Sequence, residues 1–189
     1  MKKKATEKRG RAEPPRSRWI LRIFLIALGL SAALSLLSET TIQNAGIVAA
    51  VLILLVFILL GILFDMIGVA VTAADERPFH SMAAHRETGA SEALSLLHNA
   101  SHVSSFCNDV VGDICGIVSG TTAAVIVARL QGSLGIRTIF LSVAGTALIS
   151  GLTIGGKALG KTFAIDRSTQ VVYAVGRFLH LFQGAFKRA

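Results

Sequence analysis

From Ala45 to Ala74 the chain is apolar almost without interruption, broken only by glycines, Asp65 and Thr72. A helix needs about 20 predominantly apolar residues to cross the hydrocarbon core of a bilayer. This run exceeds that length, so it predicts a membrane-spanning helix that is either tilted or broken near Gly61–Gly68. Further runs of the same kind cover Trp19–Leu37, Ser105–Ala128 and Ile136–Leu159. Together they predict an all-α, polytopic membrane protein of about four transmembrane helices, with juxtamembrane and interfacial helices.

Composition supports the same class. With 52% hydrophobic and 16% charged residues and a mean hydropathy of +0.64, the chain is too apolar for an ordinary soluble domain. Its 189 residues suit one integral membrane domain. The net charge of +8 raises the question of nucleic acid, but the basic residues gather in the N-terminal tail and beside apolar runs. No aromatic residues interleave with them for base stacking, which argues against a nucleic-acid partner.

Residues 1–18, with Pro14, Pro15 and dense charge, read as a disordered basic tail. Residues 19–37 read as an N-terminal transmembrane helix with Trp19 at the interface. A cleaved signal peptide is the alternative, but the run is longer than an h-region and Ser38-Glu39-Thr40 is a poor cleavage site. A polar link, Ser38–Asn44, leads into the long apolar run. Residues 75–103 are polar, rich in histidine, and patterned for amphipathic helices along the membrane surface. Residues 168–189 place Val171, Val172, Val175, Phe178, Leu179, Phe182 and Phe186 at helical spacing, as in an amphipathic interfacial helix. Four spans put both termini on one side. The basic N-terminus, the Arg77–Arg86 loop and the Lys161–Arg188 tail share that side, which the positive-inside rule makes the cytoplasmic face of the cell membrane. The basic termini could also hold anionic lipid.

Within the third run, Ser104–Gly120 carries Asn108, Asp109 and Asp113, with Gly112, Gly116 and Gly120 at four-residue intervals. A charged group inside a span costs roughly 2.5–3.5 kcal/mol even on lenient scales, so it faces a partner helix or a wet cavity. These residues and Asp65 supply the oxygen ligands that Mg²⁺ prefers. Asp109 and Asp113 fall one helical turn apart, and Asn108 and Gly112 share the adjoining face. They bind a cation, or they serve packing and internal ion pairing. The rows Gly112/Gly116/Gly120 and Gly151/Gly155 are small-xxx-small faces, expected to pack helices within the chain, with a homodimer as the alternative. Cys107 and Cys115 would lie about 12 Å apart along a helix, beyond disulfide reach.

The histidine pairs His80/His85 and His98/His102 raise a zinc reading. Neither an HExxH pattern nor a cysteine pair accompanies them, so surface histidines at a membrane interface are expected. Ser104 and Ser105 lie near His102 without a nucleophile-elbow pattern, and no Walker loop or dinucleotide fingerprint occurs. No catalytic residues are assigned and no enzyme is expected.

Three segments, in order, resemble the transmembrane module of the cyclin-M/CorC magnesium transporters, which precedes a pair of CBS domains. Phe64–Ala83, FDMIGVAVTAADERPFHSMA, resembles the family's FSGSETALTSLSRSRLRHLA, with Ile67 and Gly68 at its serine and glutamate positions. Asn108-Asp109-Val110-Val111 stands where the family has Asn-Asn-Leu-Val. Gly156–Ala164, GKALGKTFA, resembles Gly-Glu-x-x-Pro-Lys-Thr-Leu-Ala, with Lys157 in place of the glutamate and Gly160 in place of the proline.

The resemblance covers roughly Ala45 to Phe186. It implies a transporter-like module over residues 45–167, dimeric, with a juxtamembrane helical belt, and Mg²⁺ as the bound or transported ion. Asp65, Asn108 and Asp109 would be its ligands. No CBS pair follows before Ala189, so the regulatory apparatus is expected to be missing. Lys157 changes the chemistry, because an ammonium at a metal-coordinating position repels a divalent ion. Opposite unit charges at close range attract by about 4 kcal/mol at an effective dielectric constant near 20. A Lys157–aspartate pair is therefore expected, with Asp65, Asp109 or Asp113 as partner, unless Lys157 snorkels to the interface. The functional expectations are a divalent-cation transporter with a degenerate ion site, or a non-transporting membrane scaffold stabilised by the internal pair.

Overall fold

The computed structural model describes residues 16–44, 46–135 and 139–186, and these are helical apart from short connections, with no strand among them. Most of the basic tail, residues 1–15, lies outside the described residues, as do residues 136–138 and 187–189.

The first helix, α1 (Arg16–Asn44), runs through the Ser38–Asn44 stretch expected to be a link. Polar residues do not by themselves end a helix. Thr40 Oγ1 donates back to the Leu36 carbonyl at 2.8 Å, and Gly46, before the next helix, is extended. The side chain of Trp19, expected at the interface, is outside the described residues.

The second helix, α2 (Ile47–Ala73), is continuous, without the break considered at Gly61–Gly68. Its buried residues Ala50, Leu54, Phe57, Gly61, Asp65, Gly68 and Val71 recur every three or four positions and form one stripe. Leu52, Leu55, Leu59 and Leu63 lie exposed on the opposite side. A carboxylate inside and leucines outside invert the pattern of a water-soluble helix.

Short helices α3 (Arg77–Ala84) and α4 (Ala90–His98) follow, then α5 (Ala100–Ser105), a π-helical turn (Phe106–Gly112) and α6 (Asp113–Leu134) in one continuous rod. The chain then forms α7 (Ile139–Asp166) and α8 (Ser168–Phe186). Among the described residues three helical stretches are long and apolar enough to cross a membrane: Ile47–Ala73, Ala100–Ser133 and Ile139–Asp166. In α1, which is 29 residues long, the apolar stretch among the described residues is Leu21–Leu36.

The three long rods are neighbours, with α2 packed against both α6 and α7; the α5–α6 rod runs antiparallel to α2, and α7 runs parallel to it. At one end Ala50 and Leu54 meet Ala123 and Ile126. Helix α1 lies against the outside of α2 and α6, with Ile23, Ala27, Leu30 and Leu34 packed around Phe57, Val110, Ile114 and Val118. At the other end the last turns of α2 enter a core of Ala70, Val71, Phe79, Ala93, Leu97, Ala164 and Val172. That core ties α3, α4 and α8 into a belt. Val172, which periodicity places on the apolar face of α8, is fully buried there.

Candidate functional site

The buried stripe of α2 carries small residues on either side of its one acid. Gly61, Asp65 and Gly68 share a face, and neighbouring rods approach so closely that side chains there would collide. A Cβ on Gly61 would lie 3.2 Å from Cys115 Cβ, and one on Gly68 would overlap the Asn108 amide. Across the gap, Gly112 leaves no room either: its Cβ would stand 2.6 Å from Asp65 Oδ1. On α7, Gly156 and Gly160 admit Ile62 and Met66 of α2 in the same way. These glycines bring three backbones together around one carboxylate.

Asp65 is 3% exposed. Its Oδ2 lies 3.4 Å from Lys157 Nζ and 3.8 Å from Lys161 Nζ, the two lysines being one turn apart on α7. Lys157 Nζ also donates to the Gly112 carbonyl at 3.2 Å. That carbonyl closes the π-helical turn, a form of helix that recurs at functional sites. An ammonium thus bridges a carboxylate and a backbone carbonyl, two oxygens of the kind a hard cation would take. Lys157 is largely covered, with a side chain 21% exposed, while Lys161 at 48% is half in the open. At this separation and an effective dielectric constant near 20 the attraction is about 4 kcal/mol, offset by the desolvation of both groups.

Asn108, on the π-helical turn, packs against Gly68, about one turn along α2 from Asp65. Its Nδ2 donates to Ser104 Oγ at 3.2 Å, and its Oδ1 is buried without a partner among the described residues. A buried acceptor left unpaired costs about 1–3 kcal/mol. Asp109 and Asp113 do not join this centre. Both are exposed, on the outward stripe Phe106, Asp109, Asp113, Ile117, Thr121, while Val110, Ile114 and Val118 face inward. Of the three aspartates considered as partners of Lys157, the structure selects Asp65.

The glycine rows divide as well. Gly112 sits at a close approach, but Gly116, Gly120, Gly151 and Gly155 meet nothing within 4 Å. Internal packing uses Gly61, Gly145, Gly156 and Gly160 instead: Gly151 and Gly155 lie on the exposed side of α7, and Gly116 and Gly120 line an open groove. This groove, between α6 and α7, is about 230 Å³ in volume and is lined by Gly116, Ser119, Gly120, Ser150, Thr153 and Lys157, among others. Cys107 and Cys115 are free and buried.

The belt has polar ties of its own. His180 Nδ1 on α8 donates to Glu92 Oε1 on α4 at 2.7 Å. That bond, and then one donated by Ser91, hold the Glu92 carboxyl below its ordinary range against the opposing effect of desolvation. Tyr173 Oη donates to Glu87 at 3.1 Å. Of the expected histidine pairs neither forms the cluster seen here: His80 and His98 converge on Glu76. Sequence reasoning missed Lys161, Glu76 and the Glu92–His180 tie. The four-residue spacings Lys157/Lys161 and Glu76/His80 were the available signals; His98 and His180 had none, since only tertiary packing brings them in.

No protein-family model, curated protein or solved structure matches this chain.

Proposed function

We propose that this is an integral membrane protein that does not transport divalent cations but serves as a scaffold or regulatory subunit, with its own lysine in the place of an ion. One observation carries the reading: Lys157 Nζ is shared between Asp65 and the Gly112 carbonyl, with Lys161 behind it. A divalent ion entering there would meet one carboxylate and two ammonium groups. The resemblance to the cyclin-M/CorC module supports descent from a cation site, and the substitution of Lys157 for the family's glutamate supports its loss. The belt end carries Arg77, Arg86, Lys161, Arg167 and Arg177, which supports a cytoplasmic placement. On α8, Phe178, Leu181 and Phe182 are exposed beside Arg177, as suits a helix lying on an anionic lipid surface. In this reading α1 completes a fourth span, and partners act on the belt.

A second reading, transport with Lys157 displaced, is favoured by the Asn108 Oδ1, unpartnered among the described residues, and by the groove that Lys157 lines together with Ser119, Ser150, Thr153, Ile149 and Ile154. Mg²⁺ uptake by the purified full chain in proteoliposomes separates the two. Flux no greater than in protein-free vesicles supports the scaffold. Saturable flux abolished by Asp65→Asn overturns it in favour of transport.

A further inference from the structure

A second polar cluster lies on the belt, away from the buried carboxylate. Glu76 caps the start of α3, His80 follows one turn later, and His98 closes α4. His80 Nε2 and His98 Nε2 approach Glu76 Oε2 to 3.9 and 3.8 Å, and the three ligand atoms all lie within 4.8 Å of one another. These separations are too long for hydrogen bonds. They are about half an ångström longer than the ligand–ligand edge of a tetrahedral site with metal–nitrogen bonds near 2.0–2.1 Å. Rotations of the three half-exposed side chains would have to close these gaps and the His80–His98 separation, which lies within 4.8 Å.

The backbone beneath the cluster is firmly seated. Phe79, between Glu76 and His80, is fully buried, and Leu97, beside His98, is 6% exposed. Both belong to the core that ties α2, α3, α4 and α8 together. Asp75 Oδ1 accepts from the Arg77 amide at 3.0 Å, which holds the turn that carries Glu76. Three ligands therefore project from fixed points on two helices, on a side open to water.

We infer that Glu76, His80 and His98 form a zinc site that clips α3 to α4 on the belt surface. Two imidazoles and one carboxylate are a borderline donor set, suited to Zn²⁺ and ill suited to Mg²⁺. Water completes the coordination sphere, so the ion exchanges with the medium and the belt is stiffened when zinc is present. This site is independent of the Asp65–Lys157 pair and of whether the protein transports anything.

The test uses the full chain, purified in detergent without a polyhistidine tag and stripped with a chelator. Zn²⁺ is titrated against a fluorescent zinc indicator, and the melting temperature is recorded with and without Zn²⁺. The expected result is about one equivalent bound, with a raised melting temperature. His80→Ala, His98→Ala and Glu76→Gln should each weaken binding by more than about tenfold, the scale on which even outer-sphere partners act. His85→Ala and His180→Ala should not. Where an alanine variant fails to fold, His98→Gln keeps size and polarity and carries the same comparison. The site is overturned if wild type binds no better than the His80→Ala/His98→Ala double variant, if His85→Ala weakens binding as much as His98→Ala, or if millimolar Mg²⁺ displaces the ion.

Discussion

The ammonium of Lys157 on α7 lies 3.4 Å from the Asp65 carboxylate of α2, while its other contact is the carbonyl of Gly112, 3.2 Å away on the third rod. One side chain thereby joins all three long helices at a point where each contributes a glycine to make room. Lys161 reaches the same oxygen from a more exposed position, so the two lysines have unequal weight.

Removing the covered lysine should be far more harmful than removing the exposed one. Lys157→Met leaves the buried carboxylate with only the half-exposed Lys161 beside it, a change that destabilises by up to about 3–5 kcal/mol. Lys161→Ala loses a half-exposed contact worth at most about 1 kcal/mol. Asp65→Asn combined with Lys157→Met should recover much of the loss, giving a large coupling in a double-mutant cycle of melting temperatures in detergent. Equal effects of the two lysine variants would count against the asymmetry.

The glycines predict an opposite pair of outcomes. Gly112→Ala drives a methyl group to 2.6 Å from Asp65 Oδ1 and 3.6 Å from Lys157 Nζ, so the ion pair must shift and the melting temperature should fall. Gly116→Ala meets open space and should be neutral, or stabilising by about 0.5–1 kcal/mol through helix propensity. Thermal melts of the two variants side by side check this.

The belt is closed by a backbone crossing. Gly89, at φ +90, abuts Gly176 and Arg177 of α8, and a Cβ there would come within 2.5 Å of the Arg177 nitrogen. Gly89→Ala combines that clash with a left-handed conformation that alanine resists. Gly176→Ala presses on Gly89 and, at 3.0 Å, on Ala93. Both should loosen α8 selectively. Hydrogen exchange should speed up in α8 and in α4 and remain slow in α2 and α6; uniform acceleration would refute a local role.

Acid should release the same contact. The folded-state value of Glu92 is depressed, first by its bond to His180 and then by Ser91. Its contribution is therefore complete above the ordinary glutamate range, about 4.3, and is lost as pH falls through the lowered folded value. Exchange in α8 should rise on that acid limb in wild type. In Glu92→Gln the acid-dependent increment should be smaller, and an unchanged increment would assign it to another group.

Much of the architecture was legible along the chain because it rests on length and period. The run from Ala45 predicts α2, and the apolar spacing from Val171 to Phe186 predicts the helix α8, though of those residues Val172 is buried in the core while Phe178 and Phe182 are exposed. Where periodicity was read without partners, it misassigned. Asp109 and Asp113 share a helical face as expected, but that face is the outward one, and Asp65 alone meets the lysines. Gly116, Gly120, Gly151 and Gly155 have the spacing of a packing motif, yet the first two line an open groove and the last two face outward, so nothing packs on them. The Ser38–Asn44 stretch is polar but helical, since polarity alone leaves the intrahelical hydrogen bonds intact.

Sequence by itself determined the helical class, three of the four apolar runs read as spans, and the prospect of a lysine–aspartate pair, because these follow from local composition and from charges that an apolar environment cannot leave alone. Only the tertiary structure decided which aspartate Lys157 finds, which glycines bear the close approaches, and that Glu76, His80 and His98 converge. Those outcomes depend on how α2, α6 and α7 cross and how α3 docks on α4, contacts between residues far apart in the chain that no local period encodes.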